Sequence, residues 1–438
     1  MAFVLYASGE YAKSELDLFS LKLTQTSIEN SFFMEVSPLA ALTPLAPIEF
    51  YVSGSRDMYL DFNNTLLHLV CKITKANGTN IEDDAKLAPI AYTIATMFNQ
   101  VDINLGDRLV TQSDNMYTYR AYIESILNYS CKALDTQLSA RLFHKDTEAN
   151  FEDTALDGGN AGLKKRASFA AVSRQFALLG RIHSDLFFQD KLLINGMDLK
   201  IKLNRNKDTF CLISGNAEQY KLVILSASLF AKRVKVSPSI RLAHADALQL
   251  SNAKYVIERV ALKIFSIPAG TSLTQQQNLF LGHLPKLIIR GFVDNTAFSG
   301  RYTSNPFNFK HYDMNYAALF HKGSVVPAKP FTLSFGTSNF VREYLGLVSL
   351  MGKHLLDSGV IVSREGYGAS YTMFAFDQTP DMEDGDHYNL IKNGNLKAEI
   401  RFTEALASNV NMVVFSVFDS VIRSITPDNF YLTIIKRL

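Results

Sequence analysis

The sequence predicts an all-β protein built from two similar units, and three observations support this. Roughly a dozen and a half short segments alternate apolar with polar or turn residues, which is the pattern of strands. Helical periodicity is clear in only two segments, Tyr119–Tyr129 and Ile240–Leu250. Short motifs also recur in the second half of the chain in nearly the same order as in the first. The pattern fits sandwiches, barrels and jelly rolls, and it does not choose between them.

The clearest repeat is a hairpin followed by an Arg-x-Tyr motif. Residues 98–110 turn at Gly106-Asp107, and residues 305–331 turn within His321–Ser324, where Pro327 is expected to end the return strand. Arg120 and Tyr122 follow the first hairpin; Arg342 and Tyr344 follow the second, and 342 − 120 = 222 residues separate the arginines. Three further pairings have offsets between 190 and 198 residues: Leu67–Gly78 with Val260–Gly270, Asn195–Lys200 with Asn393–Lys397, and Leu222–Ser226 with Met412–Ser416. We therefore expect Tyr122 and Ser226 to occupy positions equivalent to those of Tyr344 and Ser416.

The length of 438 residues suits two domains, because it is too long for one ordinary core. Pro238 opens the second helical segment, which makes this segment a natural connector. We predict an N-terminal arm at 1–30, a first β-unit at 31–237, a connector helix at 238–252 and a second β-unit at 253–438.

Residues 131–180 interrupt the strand pattern of the first unit. An excursion of this length inside a β-domain is uncommon unless it is a functional surface loop. The glycine-rich run Gly158–Gly162 is incompatible with a packed strand, so we expect it to face outward, away from the core.

Composition excludes several classes of function. The formal net charge is +2, with 44 basic and 42 acidic side chains mixed along the chain, which argues against strong, sequence-independent DNA binding; no sequence-specific nucleic-acid partner is expected either. The three cysteines have no short spacing, which indicates a reducing compartment. We find no secretory signal and no apolar stretch long enough for a membrane span. The absence of Trp disfavours a lectin that stacks sugars.

No residue pattern indicates catalysis, a cofactor or a resident metal. His311 and His321 are best interpreted as turn and interface residues. The run Gly158-Gly159-x-x-Gly162-x-Lys164 lacks the ending of a phosphate loop, and no serine has the context of a hydrolase nucleophile. A solvated loop is the favoured interpretation of one acidic cluster, and a weak divalent-cation site is the alternative; the cluster comprises Asp381, Glu383, Asp384 and Asp386, beside His387.

Scattered motifs over nearly the whole chain resemble those of one known family. They include Ser14–Phe19, Gln25–Glu29, Pro47–Phe50, Gln100–Asp102, Tyr119–Tyr122, Asp185–Asp190, Leu279–Gly282, Asp294-Asn295 with Ala297-Phe298, and above all Asn305–Tyr312. In these motifs the chain is similar to the major capsid (hexon) protein of Polinton or Maverick elements and of the related adintoviruses.

The resemblance implies two tandem jelly rolls, three subunits per capsomer, and an icosahedral shell around a double-stranded DNA genome. It implies no catalytic residue. Its structural motif residues here are Asn305, Pro306, Phe307, Asn308, Phe309, Lys310, His311 and Tyr312, with Arg120, Tyr122, Arg342 and Tyr344 from the repeated motif.

The expected function is therefore self-assembly as a structural capsid protein and not enzymatic activity. The expected partners are further copies of the chain in a homotrimer and between capsomers, together with a penton or minor capsid protein. The expected location is the virion, after assembly inside a host cell. The alternative is a carbohydrate-binding or hydrolytic jelly-roll protein, which would need stacking Trp residues or a pair of carboxylates in a cleft.

Overall fold

The computed structural model describes residues 11–434 except positions 12, 45, 156, 217, 383–386 and 427–428, and it describes side chains as far as Arg423. Its strands are β1 (Ile28–Val36), β2 (Ile48–Val52), β3 (Met58–Lys75), β4 (Leu87–Pro89), β5 (Phe98–Leu105), β6 (Arg108–Leu109), β7 (Phe176–Gly180), β8 (Leu199–Arg205), β9 (Leu212–Ser214), β10 (Tyr220–Val236), β11 (Ala253–Ile267), β12 (Leu273–His283), β13 (Leu287–Asp294), β14 (Met314–His321), β15 (Ser324–Thr332), β16 (Met373–Asp377), β17 (Asn393–Phe402), β18 (Val410–Thr426) and β19 (Asn429–Ile434). Its α-helices are α1 (Thr93–Thr96), α2 (Tyr117–Asn128), α3 (Ala161–Ala170), α4 (Asp208–Cys211), α5 (Pro238–Leu250), α6 (Asn295–Ser299), α7 (Val341–Leu350) and α8 (Arg364–Ala369).

The strands form two jelly rolls that follow one another along the chain. In the first, one sheet has the order β1-β10-β3-β7 and the other the order β2-β8-β5-β6. In the second, the orders are β11-β18-β13-β16 and β12-β17-β14-β15, and β19 adds to β18. Each half contributes eight strands to its two sheets, and when these strands are numbered in chain order within their half, the two halves have identical strand orders. The protein is therefore an all-β double jelly roll with a few short helices.

Alternation along β3 shows how the sequence sets the sheet. Leu67, Leu69, Cys71 and Ile73 are buried, and the residues between them are only partly covered. Successive side chains of a strand point to opposite faces, so this strand presents one face to the core of the first jelly roll. Strand β8 shows the same alternation, because Leu199, Ile201 and Leu203 are buried and the residues between them are not.

Most of the repeated motifs lie on corresponding elements. The hairpin of β5 and β6 corresponds to that of β14 and β15, and each is followed by a helix, α2 or α7, that carries the Arg-x-Tyr motif. The Leu199 and Leu396 motifs lie on the corresponding strands β8 and β17. Ser226 and Ser416 lie on the corresponding strands β10 and β18, but their positions are not equivalent as expected: Ser226 is exposed and pairs with Val70 after a bulge, whereas Ser416 is fully buried and pairs with Ile288.

Three predictions made from strand patterning were wrong. Leu67–Gly78 belongs largely to β3 but Val260–Gly270 to β11, and these strands do not correspond, because aliphatic alternation is common to many half-buried strands. The apolar pattern of residues 182–188 also predicts a strand, but Asp185–Phe188 is a turn of 3-10 helix. Pro327 does not end its strand: β15 runs on to Thr332, and Pro327 begins a bulge on this edge strand, where its missing N–H interrupts no ladder.

Candidate functional site

The motif Asn305–Tyr312 lies in the connection between α6 and β14, where the second jelly roll meets the first. Asn305, Phe307 and Phe309 are fully buried, although this segment is mostly irregular. Buried irregular backbone needs partners for its polar groups. Here the first jelly roll supplies some of them: the Tyr119 hydroxyl donates to the Pro306 carbonyl at 3.0 Å.

Aromatic side chains from α2 complete the contact. The rings of Tyr122 and Phe307 are stacked, with centroids 3.8 Å apart and planes 5° from parallel. Tyr119 meets Phe307 and Phe309 edge to face, at 5.8 and 6.3 Å. A Cβ on Gly291 would lie 2.5 Å from the Phe309 ring, so the glycine allows β13 to lie close against this ring. We call this contact between the two jelly rolls the joint.

A fully buried ion pair extends the joint. Arg166 and Asp146 lie 2.6 Å apart, and neither side chain is exposed. Asn305 donates to the other Asp146 oxygen at 3.0 Å, and the Tyr371 hydroxyl donates to the Asp146 carbonyl at 3.0 Å. Because both Asn305 and Tyr371 come from the second jelly roll, this charge pair is shared between the two halves.

The excursion at 131–180 is thus part of the joint, which overturns the expectation that Gly158–Gly162 faces away from the core. Asn160 is fully buried; its side chain caps α3 by accepting from the Leu163 N–H and donates to Asp146 at 2.9 Å. A Cβ on Gly162 would lie 2.0 Å from the Lys145 carbonyl oxygen. The glycines permit close packing here and do not mark a free loop, although Gly159 itself is exposed.

A second cluster of charges lies beside the joint. Arg120 bonds Glu124 at 2.9 Å and Asp185 at 2.6 Å, and Glu124 lies 2.5 Å from His183 Nδ1. Asp185 also accepts from the Val260 N–H of the second jelly roll at 3.3 Å. Burial opposes ionisation of Arg120, but Asp185 and Glu124 outweigh it and raise the pKa of the guanidinium. Burial would raise the pKa of Glu124, but Arg120 and His183 lower it.

These charges open onto a cleft of about 880 Å³ between the jelly rolls, lined also by Ile289, Lys286 and Phe415. Its buried carboxylates already hold Arg120 and His183, so they are not a free acid and base pair. In the described part of the chain, no group of three or more His, Cys, Asp or Glu side chains is placed to hold a metal ion. No described helix is long and apolar enough to cross a membrane.

The remaining motif residues are less central. Lys310 lies 3.5 Å from the Glu152 carboxylate, and Asn308 lies 3.4 Å from the same carboxylate; both contacts cross the joint. His311 stacks on Phe335, with 4.1 Å between ring centroids, and Tyr312 is half-buried.

Arg342 and Tyr344 differ from Arg120 and Tyr122 in their surroundings. Arg342 is exposed and donates to the Lys329 and Pro330 carbonyls, and the Tyr344 hydroxyl donates to Val362. Sequence reasoning missed Asp146, Arg166 and Asn160, which lie far from the motif in the chain. Of the acidic cluster, Glu383, Asp384 and Asp386 lie outside the described residues, and Asp381 contacts His387 at 2.7 Å.

Comparison with known proteins places the fold among double jelly rolls. A chain of the Sputnik virophage structure is similar over 98% of this chain and 93% of its own, with a TM-score of 0.68 and 12% identity. The Faustovirus major capsid protein covers 93% of this chain and 92% of its own length, with a TM-score of 0.61 and 8% identity. The mavirus major capsid protein is similar over 99% of this chain and 96% of its own length, with a TM-score of 0.57 and 11% identity.

Sequence comparison adds a relative from an animal. An uncharacterised protein of Caenorhabditis elegans is 24% identical over 417 residues, which cover 91% of this chain and 96% of that protein. No family model matches the sequence.

Proposed function

We propose that this chain is a major capsid protein whose function is self-assembly. Three copies form a pseudo-hexameric capsomer, and capsomers tile an icosahedral shell around a double-stranded DNA genome. The observation that carries the proposal is that two jelly rolls of one strand order share a buried joint within one chain. Similarity to two viral major capsid proteins over more than nine tenths of both chains supports it.

The physical argument concerns symmetry. A chain with two similar barrels needs only threefold symmetry to present a sixfold outline, and six-sided tiles fill a flat facet. A closed trimer also covers sheet edges and faces that would otherwise stay exposed. An obligate interface of this kind is expected to bury more than about 2,000 Å² and to be rich in aromatic residues.

Finer statements belong to the same proposal. The motifs from Ser14–Phe19 to Asn305–Tyr312 support membership of the Polinton and adintovirus hexon proteins. Assembly in the virion would require a penton or minor capsid protein at the fivefold vertices. The jelly-roll domains are proposed to span 31–237 and 253–438, joined by the connector at 238–252, with residues 1–30 as an arm.

Mass measurement and electron microscopy of the purified protein test the proposal. At micromolar concentration and moderate salt we expect a stable species of about 147 kDa, three times the chain mass of 48.9 kDa, or larger shells. Micrographs should show six-sided particles. A persistent monomer under these conditions would overturn the proposal.

A further inference from the structure

Helices α2 and α7 take corresponding places in the two jelly rolls but differ in coverage. Ten of the twelve residues of α2 are buried. Only three of the ten residues of α7 are buried, and Val341 and Leu345 are 42% and 50% exposed. These two residues are four apart, so they lie on one face of the helix. The second helix therefore has an apolar face without the cover that the first one has.

Part of the cover of α2 comes from the second jelly roll. The outward face of the β11-β18-β13-β16 sheet carries Ile289 and Phe415, which are only 1% and 5% exposed and line the cleft opposite Arg120 and Glu124 on α2. On the same face Gly291 touches Phe309, which packs against α2 through Tyr119. Inside the chain, then, a helix of one jelly roll meets the outward sheet face of the other.

The corresponding face of the first jelly roll is less covered. Strand pairing shows which positions correspond. Arg290 of β13 pairs with Phe374 of β16, and Cys71 of β3 pairs with Phe176 of β7, so Cys71 corresponds to Arg290. The residues just before them, Val70 and Ile289, therefore also correspond. Val70 is only half-buried, whereas Ile289 is fully buried. Around Val70 on neighbouring strands, Leu179 and Leu225 are 37% and 38% exposed. Apolar side chains scattered singly are ordinary on a surface, but a contiguous set on one sheet face indicates an interaction site.

We propose that the exposed face of α7 in one copy docks on the outward face of the β1-β10-β3-β7 sheet in the next copy, repeating between chains the contact that α2 makes within the chain. The partner is a second copy, because the same two kinds of surface are already joined inside this chain. The interface is head-to-tail, since helix and sheet face are different surfaces, and such contacts close into rings when the rotation allows. This inference rests on the proposed function and assigns the surfaces that the trimer would use.

Two single substitutions test it from opposite sides. Leu179→Lys changes the sheet face and Leu345→Glu changes the helix; both residues are partly exposed, so folding should survive. Leu281→Lys is the control, because Leu281 is 75% exposed on β12, away from both surfaces. At micromolar concentration we expect wild type and Leu281→Lys at about 147 kDa, and Leu179→Lys and Leu345→Glu at about 49 kDa. Matching circular dichroism spectra would show that the monomers are folded.

Mixing the two monomeric variants gives a sharper readout. Each retains one intact surface, so the mixture should form dimers of about 98 kDa but no closed trimer. If wild type is trimeric and either variant stays trimeric, the surface assignment is wrong while the proposed function stands. Loss of the trimer in Leu179→Lys alone would mean that something other than α7, such as the N-terminal arm, covers the sheet face. A monomeric wild type would instead overturn the proposed function itself.

Discussion

Two fully buried arginines illustrate opposite uses of the same side chain. Arg166 is matched by Asp146 and by the Pro89 carbonyl, to which its Nε donates at 2.8 Å. No nitrogen of the Arg290 guanidinium has a hydrogen-bond partner among the described residues; this group lies over the Phe376 ring, 4.5 Å from the centroid. Burial lowers the pKa of Arg290 to about 9. The first arginine is part of a satisfied network, whereas the second carries a desolvation cost that no hydrogen bond from the described residues offsets.

Replacing each arginine by methionine should therefore have opposite effects. Arg290→Met removes a buried charge without a partner and should leave the free energy of unfolding unchanged or raise it by up to about 3 kcal/mol. Arg166→Met leaves the buried Asp146 carboxylate without its cation and should lower the free energy of unfolding by about 3 to 5 kcal/mol. Urea denaturation at one protein concentration measures both. A large loss in Arg290→Met, equal to that in Arg166→Met, would contradict the argument.

His183 is a buried titratable group whose charge state affects stability at moderately acid pH. Its Nδ1 faces Glu124 and its Nε2 faces the Tyr92 hydroxyl, which also accepts from Arg141 at 3.0 Å. Burial lowers the pKa of His183 below 6.5, and the nearby cations Arg141 and Arg120 act in the same direction against Glu124. A histidine that stays neutral in the folded state but is protonated when unfolded removes stability as the pH falls.

The variant His183→Gln should accordingly lose less stability on acidification. Between pH 7 and pH 5 the unfolded wild type takes up a proton at this position that the folded protein resists, so the wild type should lose up to about 1.4 kcal/mol per pH unit more than the variant. The free energy of unfolding at several pH values gives the comparison. His354→Gln, at an exposed histidine, is the control and should follow the wild-type curve. Parallel curves for wild type and His183→Gln would show that the buried ring does not titrate as argued.

At the scale of elements, the sequence predicted what depends on local pattern. Strands such as Ile48–Val52, the helix over Tyr119–Tyr129 and the helix after Pro238 could be predicted because periodicity and turn residues specify them. The role of 131–180 could not, because Asn160 and Gly162 are buried against residues 144–147, and Asp146 among these is bound by Asn305 from the second jelly roll, which no local pattern records. The joint was predicted only in part: Asn305–Tyr312 stood out as a motif, but its partners Asp146 and Arg166 had no distinguishing signal.

Burial of this region predicts where an insertion disrupts the protein. A flexible tag after Gly159 would disturb the turn that leads into Asn160, which caps α3 and donates to Asp146, so soluble protein should fall sharply. The same tag after Gly323 should be tolerated, because this glycine lies in the turn between β14 and β15 and a Cβ there would meet nothing within 4 Å. Soluble yield and elution volume measure the outcome. Equal yield from both insertions would refute the assignment of 158–162 to the joint.

At the scale of the whole molecule, the two jelly rolls share one interior. The stacked pair of Tyr122 and Phe307 joins the core of one half to that of the other, and Asp146 is satisfied by residues of both. Interfaces between domains of a chain are commonly polar and permit motion, whereas a large apolar one holds them fixed. The joint has a buried aromatic contact, and its charged groups are paired, so it should hold the two halves fixed; this suits the proposed capsomer, in which two barrels would keep a fixed relation.

The two jelly rolls should therefore unfold together. Phe307→Ala removes a fully buried ring at the joint and should lower the free energy of unfolding by about 3 to 5 kcal/mol. Hydrogen exchange under mild urea should show slow amides of β3 and β18 becoming exposed at the same denaturant concentration in the wild type, since a shared core links them. Phe280→Ala is the control, because this buried ring packs on Phe418 within the second jelly roll and not at the joint. Both variants should be destabilised, but only Phe307→Ala should separate the exchange of β3 from that of β18; separate transitions already in the wild type would mean that the joint does not couple the barrels.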